Sequence, residues 1–260
     1  MAKIIAVTNQ KGGVGKTTTS INLTASLAAT KRRALLIDMD AQGNATMGSG
    51  INKSELALSV NEVLLGDATA DEAILSTQAG FDILPSNEEL TIAEVNLLQL
   101  PERQYRLKNA LQPVRDRYDF IIIDCPPTLN MLTINALVAA TSVLIPMQCE
   151  YYALEGLAGL MRTIEQIKQT HNPSLHIEGV LRTMYDPRSR LTQEVAAQLH
   201  EHFGAKVYRT VIPRNVRLAE APSHGMPALL YDKNSQGAAA YLILAGEMIR
   251  KQQDVIHEQA

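Results

Sequence analysis

The chain has 260 residues, 46% of them hydrophobic and 20% charged, and 24 basic against 27 acidic side chains give it a formal charge of -3. Those figures exclude a disordered chain, a collagen-like fibre and a strongly basic histone-like protein, and they confine any nucleic-acid contact to a local patch. Two cysteines make no disulfide framework, so a reducing cytosol is expected.

The opening MAKIIAVTNQKGG has one lysine before a very short apolar run and no cleavage-like site, so it does not read as a signal peptide. Short apolar runs at 3–8, 34–38, 81–84, 120–124, 142–146 and 177–183 read as strands, several of them β-branched and apolar on both faces. Amphipathic stretches at 17–29, 88–98, 102–116, 131–139, 154–169, 191–203 and 236–251 read as the helices between them. This alternation predicts an α/β fold, one doubly wound and mostly parallel sheet flanked by helices, in a single domain over 1–260. Ligands of such sheets bind at the carboxyl ends of the strands. The Gly-, Asn- and Ser-rich stretch 41–59 is expected to be a surface excursion. The uncharged run 125–149 contains Pro126, Pro127, Asn130, Asn135 and Pro146, which suits a buried helix and strand rather than a lipid span.

The first strand leads directly into Lys11-Gly12-Gly13-Val14-Gly15-Lys16-Thr17-Thr18 and then an apolar helical pattern. Glycines let a backbone curl with its N–H groups inward, and those donors cradle phosphate at a helix N-terminus. Lys16 supplies a point charge to the β- and γ-phosphates, and the Thr17 hydroxyl is a natural Mg²⁺ ligand. The usual spacing G-x-x-x-x-G-K-[ST] fails at Gln10, and a second lysine stands at position 11. Two further strands end in acids, Asp38-Met39-Asp40 and Ile121-Ile122-Ile123-Asp124. Carboxylates at adjacent strand ends can hold a Mg²⁺ shell and orient a water for in-line attack.

On these residues, with Asp124-Cys125-Pro126-Pro127, the run from Pro146 to Gly156 and that from Ile212 to Ser223, the chain resembles the ParA/Soj family of partitioning ATPases. That family is part of the deviant-Walker-A class of P-loop NTPases, which also contains MinD. The resemblance covers almost the whole sequence and implies ATP and Mg²⁺ as cofactors. It implies that Lys11 reaches across a dimer interface to the partner's nucleotide, so that two lysines approach one triphosphate from opposite sides. It further implies that Lys16 and the loop residues Gly12, Gly13, Val14 and Gly15 bind phosphates, Thr17 the Mg²⁺, and Thr18 the α-phosphate. Asp40 would position or activate the attacking water, Asp124 would hold Mg²⁺ through its water shell, and Asp38 would support that cluster. Met184, Pro213 and Asn215 would frame the adenine. The loop begins at residue 11, as in the short chromosomal sort, for which no helix-turn-helix module is expected.

Between positions 176 and 217 lie seven basic and four acidic side chains, a local charge of +3 in a chain of -3. Arg188 and Arg190 stand in a turn-forming segment, and with Arg217 they are the candidate contacts to the backbone of double-stranded DNA, read without sequence preference. Arg214 is left between the nucleotide pocket and the dimer interface. The expected behaviour is an ATP-formed homodimer that binds DNA, released by hydrolysis that a ParB-type partner stimulates, in the cytoplasm on the nucleoid and not on a membrane. A MinD-like membrane-cycling ATPase is the main alternative. The tail 247–260 argues against it, because Met248, Ile249, Val255 and Ile256 form a weak stripe and Arg250 and Lys251 are offset by acids. An iron–sulfur reductase would need Cys125 and Cys149 at a cluster, and a scaffold with negligible hydrolysis would not need Lys16, Asp40 and Asp124.

Overall fold

Alternation along the central strands decides the layering. In the computed structural model, which describes residues 2–258 and side chains as far as Gln253, Ile4 and Ala6 of β1 (Lys3–Val7) join one buried core while Ile5 and Val7 join another. Leu35 and Ile37 of β2 (Ala34–Asp38) and Ile121 and Ile123 of β5 (Phe120–Asp124) belong to the first core, and their neighbours Leu36, Phe120 and Ile122 to the second. Such strands are covered on both faces, as a parallel sheet requires.

Among the described residues eight strands form one sheet in the order β3-β4-β2-β5-β1-β6-β7-β8. The others are β3 (Leu75–Ser76), β4 (Asp82–Leu84), β6 (Ser142–Gln148), β7 (His176–Tyr185) and β8 (Val207–Pro213). Every pairing is parallel except that of the two-residue β3 with β4. The second core is closed by α1 (Lys16–Ala29), α10 (Val216–Glu220), α11 (Ala228–Tyr231) and α12 (Gln236–Glu258). The first lies under α3 (Val60–Leu65), α6 (Arg106–Leu111), α7 (Met131–Ala139), α8 (Ala153–Thr170) and α9 (Arg190–Phe203). Short helices α2 (Asn44–Gly48) and α4 (Ala70–Ala73), and α5 (Leu90–Leu97), complete the set.

Three features depart from the sequence expectation. The stretch 41–59 is not simply a surface excursion: α2 lies within it, with Ala45 and Thr46 fully buried. The expected helix 102–116 is broken, because Glu102 takes a left-handed φ of 50° and α6 ends at Leu111, two residues before Pro113. Strand β8 was not expected. It is an edge strand whose Arg209 faces water, so its apolar run is interrupted. Its exposed edge is partly covered by α12, where the Glu247 carboxylate accepts the Arg209 and Thr210 amides at 2.9 and 3.0 Å.

A buried carboxylate ties this edge to the centre. Glu178 of β7 accepts the Lys3 ammonium at 2.7 Å, the Tyr208 hydroxyl at 3.0 Å and the Ser142 hydroxyl at 3.0 Å, joining β1, β6 and β8. Burial works to raise its pKa, and Lys3 with the two hydroxyls outweighs that and leaves it below the ordinary value. The next residue, Gly179, leaves room for the Tyr208 ring, since a Cβ there would stand 2.5 Å from Cε2 and 2.7 Å from the Lys206 carbonyl. Gly179→Ala is therefore expected to cost about 1–3 kcal/mol through overpacking. A urea unfolding curve checks this, and an unchanged midpoint would show that β8 shifts freely.

Candidate nucleotide site

The strand ends set the site. Asp38 and Asp124 are register partners at the C-terminal ends of β2 and β5, and Val7 of β1 pairs with Asp124 on the other side. The chain leaving β1 must therefore turn immediately above two carboxylates. It does so through residues 8–15, with Gly13 at φ 73° and Gly15 at φ 86°, conformations that favour glycine. A Cβ on Gly12 or Gly13 would meet nothing within 4 Å, so the open side of the loop faces the cleft. The loop is anchored on the β6 side by Asn9, whose Nδ2 donates to the Pro146 carbonyl at 2.8 Å and whose Oδ1 accepts the Lys11 amide at 3.0 Å. From β7 the Thr183 hydroxyl donates to the Val14 carbonyl at 2.7 Å.

Helix α1 starts where the loop ends, and its first turn binds Asp124. Thr17 Oγ1 donates to one carboxylate oxygen and Ser20 Oγ to the other, each at 2.8 Å. Asp38 is equally buried but differently engaged. Its oxygens accept the Thr46 amide and hydroxyl, both at 2.8 Å, and the Asp40 amide at 3.1 Å, so it fixes α2 and the approach to Asp40. Burial pushes both carboxyls above their ordinary pKa, and for Asp124 the neighbouring Asp38 adds to the shift. Lys16 is buried beside them. Desolvation lowers its pKa against the opposing pull of Asp124, Cys125 and Asp40, and its ammonium donates to the Lys11 carbonyl at 3.2 Å.

Two clefts open over this base and share Gly15, Thr18 and Met184. One, about 300 Å³, is lined by Gly12, Gly13, Lys16, Thr17, Asp40, Asn44 and Pro127. The second, about 420 Å³ and largely apolar, is walled by Thr183, Ile212, Pro213, Arg214, Asn215 and Tyr241. Asn215 Oδ1 is buried with no hydrogen-bond partner among the described residues. A buried amide left unpaired is costly, and this one belongs to a residue in the wall of the second cleft. The shape of the joined clefts suits an anionic chain at one end and a flat heterocycle at the other. Among the described residues no three His, Cys, Asp or Glu side chains are grouped to hold a metal. The donors present, Thr17 Oγ1 beside Asp124, fit Mg²⁺ that keeps most of its shell as water and phosphate oxygen.

The structure thus brings together Lys16, Thr17, Thr18, Asp40 and Asp124 with the predicted base contacts Met184, Pro213 and Asn215. Lys11 does not line either cleft; its ammonium pairs with Glu150, beyond the end of β6. Asp38, like Asp124, is fully buried beneath the cleft lining, and its oxygens accept from Thr46 and the Asp40 amide. The three candidate DNA arginines are exposed and each meets a carboxylate: Arg188 with Asp186 at 2.9 Å, Arg190 with Glu194 at 2.9 Å, Arg217 with Glu220 at 2.7 Å. Cys125 and Cys149 are free and buried in the first core, and burial raises both thiol pKa values. No helix of the described residues is long and apolar enough to cross a membrane. The side chains of Val255 and Ile256 in the tail lie outside the described residues.

Sequence reasoning did not find Ser20, Thr46, Asn9, Thr183 or Glu150. Ser20 was findable, since it follows Thr17 by three residues and so shares its helix face. Thr46, Thr183 and Glu150 reach the site only through the fold, and no local spacing signals them.

The chain matches the family model described as an AAA domain, of the AAA_31 type, over residues 2–177. It is 53% identical to the sporulation initiation inhibitor protein Soj of Bacillus subtilis over 249 residues, 95% of this chain and 98% of that one. The chromosome partitioning protein ParA of Caulobacter vibrioides is 49% identical over 255 residues, 97% of this chain and 96% of that one. Among solved structures, cobyrinic acid a,c-diamide synthase from Mycobacterium smegmatis with bound ATP analogue and magnesium is 38% identical, with a TM-score of 0.86 over 97% of this chain and 96% of that one. With a phosphate loop, two acidic strand ends and relatives similar over almost their full length, the chain belongs to the Soj/ParA family of chromosome-partitioning ATPases.

Proposed function

We propose that this ATPase holds Mg-ATP in the joined clefts and uses its hydrolysis to time an ATP-formed homodimer on DNA during chromosome or plasmid segregation. The observation that carries the reading is the continuity of the phosphate cleft, with buried Lys16 and the Thr17–Asp124 pair, and the apolar cleft carrying the unpaired Asn215 oxygen. The solved relative with ATP analogue and magnesium supports the same pairing of ligands.

The roles follow from position. The loop amides and Lys16 cradle and neutralise the phosphates. Mg²⁺ held beside Thr17 and Asp124 would supply charge neutralisation for phosphoryl transfer. Thr17 faces that charge, Asp124 and Ser20 fix Thr17 in place, and Asp40 at the cleft wall orients the attacking water and accepts its proton. Met184, Pro213 and Asn215 hold the base. Lys11 leaves Glu150 and reaches the nucleotide of a second copy, which makes ATP part of the interface. Arg188, Arg190 and Arg217 exchange weak, solvent-screened ion pairs for DNA phosphates without reading bases. A ParB-type centromere-binding protein accelerates hydrolysis and so releases the dimer, which places the cycle in the cytoplasm on the nucleoid.

Three measurements test this reading. Lys16→Ala should weaken ATP binding about tenfold to a hundredfold by titration calorimetry, the range for losing a charged hydrogen-bond partner; unchanged affinity would remove the loop from the site. Asp40→Ala should slow turnover by about a hundredfold or more yet leave an ATP-bound dimer on DNA, seen by light scattering. Wild-type turnover in that variant would refute its role. Arg188→Ala should keep ATP-driven dimerisation and flatten the log-affinity against log-salt line for DNA by about one unit per subunit, and an unaltered slope would move the DNA surface elsewhere.

A further inference from the structure

Asp40 sits on a turn that is held from outside the nucleotide site. Its amide donates to Asp38 Oδ1 at 3.1 Å, and its carbonyl accepts the Gly43 amide at 2.9 Å, which closes the turn 40–43. Its carboxylate Oδ1 accepts the Gln42 amide at 3.0 Å, and the residue lines the phosphate cleft. Two groups that line neither cleft then grip the same turn. Ser86 Oγ donates to the Asp40 carbonyl at 3.0 Å, nearer than its other acceptor, the Asn87 carbonyl at 3.5 Å. Lys53 Nζ donates to the Gln42 carbonyl at 2.7 Å. Between them Gly43 has no room to spare: a Cβ there would stand 2.8 Å from the Lys53 stem and 2.9 Å from the Ser86 carbonyl.

Ser86 is itself fixed. It is fully buried just past β4, whose Leu84 pairs with Ile37 of β2. Its amide donates to Thr46 Oγ1 at 2.9 Å, and the Pro85 carbonyl before it accepts the Val60 amide at 2.8 Å. The hydroxyl is thus a reference point carried by the sheet. Folding does not need it on the Asp40 carbonyl, because the Gly43 amide already satisfies that oxygen. What the extra bond adds is location. Asp38 fixes the turn on the N–H side of the Asp40 Cα and Ser86 fixes it on the carbonyl side, and a short aspartate side chain follows its Cα. In-line attack tolerates little error: about 1 Å of misplacement costs about a hundredfold in rate.

We propose that Ser86, with Lys53 beside it, is a positioning residue for hydrolysis: it fixes the Asp40 carboxylate over the phosphate cleft and takes no part in holding nucleotide. This rests on the reading of Asp40 as the group that orients the attacking water.

Removing the Ser86 hydroxyl leaves no acceptor unpaired, so Ser86→Ala should fold, which a thermal melt followed by circular dichroism checks. Titration calorimetry should give one ATP per chain at wild-type affinity, within about twofold, while single-turnover hydrolysis with protein in excess falls about tenfold. In an Asp40→Ala background the same substitution should change the residual rate by less than about twofold, because a group that acts through Asp40 has nothing left to position. Lys53→Ala, at a half-buried side chain outside both cores, should slow hydrolysis about threefold with the same two signatures. A wild-type rate in Ser86→Ala overturns the proposal. So does a rate loss matched by lost ATP affinity, or an equal loss in the Asp40→Ala background, since either marks a merely structural role. If Ser86→Ala does not fold, Lys53→Ala decides by the same criteria. Wild-type turnover in Asp40→Ala sinks the reading of Asp40 and this proposal together, whereas a slow Asp40→Ala beside a wild-type Ser86→Ala sinks this proposal alone.

Discussion

The nucleotide site depends on one buried carboxylate. Asp124 ends a strand of apolar residues and is fully enclosed, a place where desolvation favours the neutral acid. Hydroxyls of Thr17 and Ser20 take up its two oxygens, and the Lys16 ammonium pulls in the same direction. These groups all belong to the first turns of α1. Keeping the charge satisfied therefore fixes where the helix begins, and with it where the loop amides point. Removing either hydroxyl leaves part of a buried charge unpaired, a class of change that costs more than the pair itself contributes.

The sheet supplies the other constraints. Because β1 lies between β5 and β6, its outgoing loop is anchored from both sides: Asn9 to Pro146 and Thr183 to Val14 on one, the Asp124 cluster on the other. A loop held this way needs little rearrangement to receive phosphate, which is the condition for strong electrostatic stabilisation. Asp38 does a parallel task one strand away. It holds Thr46, and Thr46 in turn accepts the Ser86 amide at 2.9 Å, so α2 and the end of β4 carry Asp40 and Asn44 to the cleft wall.

Much of this was legible in the sequence because it is local. The six expected strands are present, since each is a short run dominated by apolar, often β-branched residues. The phosphate loop, Thr17 and the strand-end acids were also plain, being fixed by spacing on one strand–loop–helix unit. What was not legible is what depends on crossing between elements. Strand β8 alternates apolar and exposed residues at the sheet edge and so lacks the signal of a central strand. The helix expected at 102–116 is shortened by Pro113, a breaker plain in the sequence, and by the left-handed turn at Glu102, which no residue type signals. Thr183 and Glu150 lie far along the chain from Val14 and Lys11, and Thr46 meets Asp38 only because the chain turns back after β2. The arginines at 188, 190 and 217 carry local positive charge, yet each pairs with a carboxylate only a few residues away, Asp186, Glu194 and Glu220, at spacings visible in the sequence.

Lys11 shows why the proposed cycle needs both a nucleotide and a second copy. In the single chain its ammonium already has a counter-charge in Glu150, and both side chains are about two-fifths exposed, at 41% and 44%. An exposed pair of this kind contributes about 0–1 kcal/mol, so it holds the lysine without trapping it. A triphosphate offers several charges in a site where water has been displaced, and there the same ammonium gains much more. Glu150 is followed by Tyr151 and Tyr152, packed edge to face and 75% and 70% exposed, so on the proposed reading Lys11 would be freed beside an aromatic surface with area still to bury. On the proposed reading, hydrolysis reverses the balance: once the γ-phosphate charge leaves, the gain from crossing the interface falls toward that of the pair with Glu150, and the dimer loses its reason to persist.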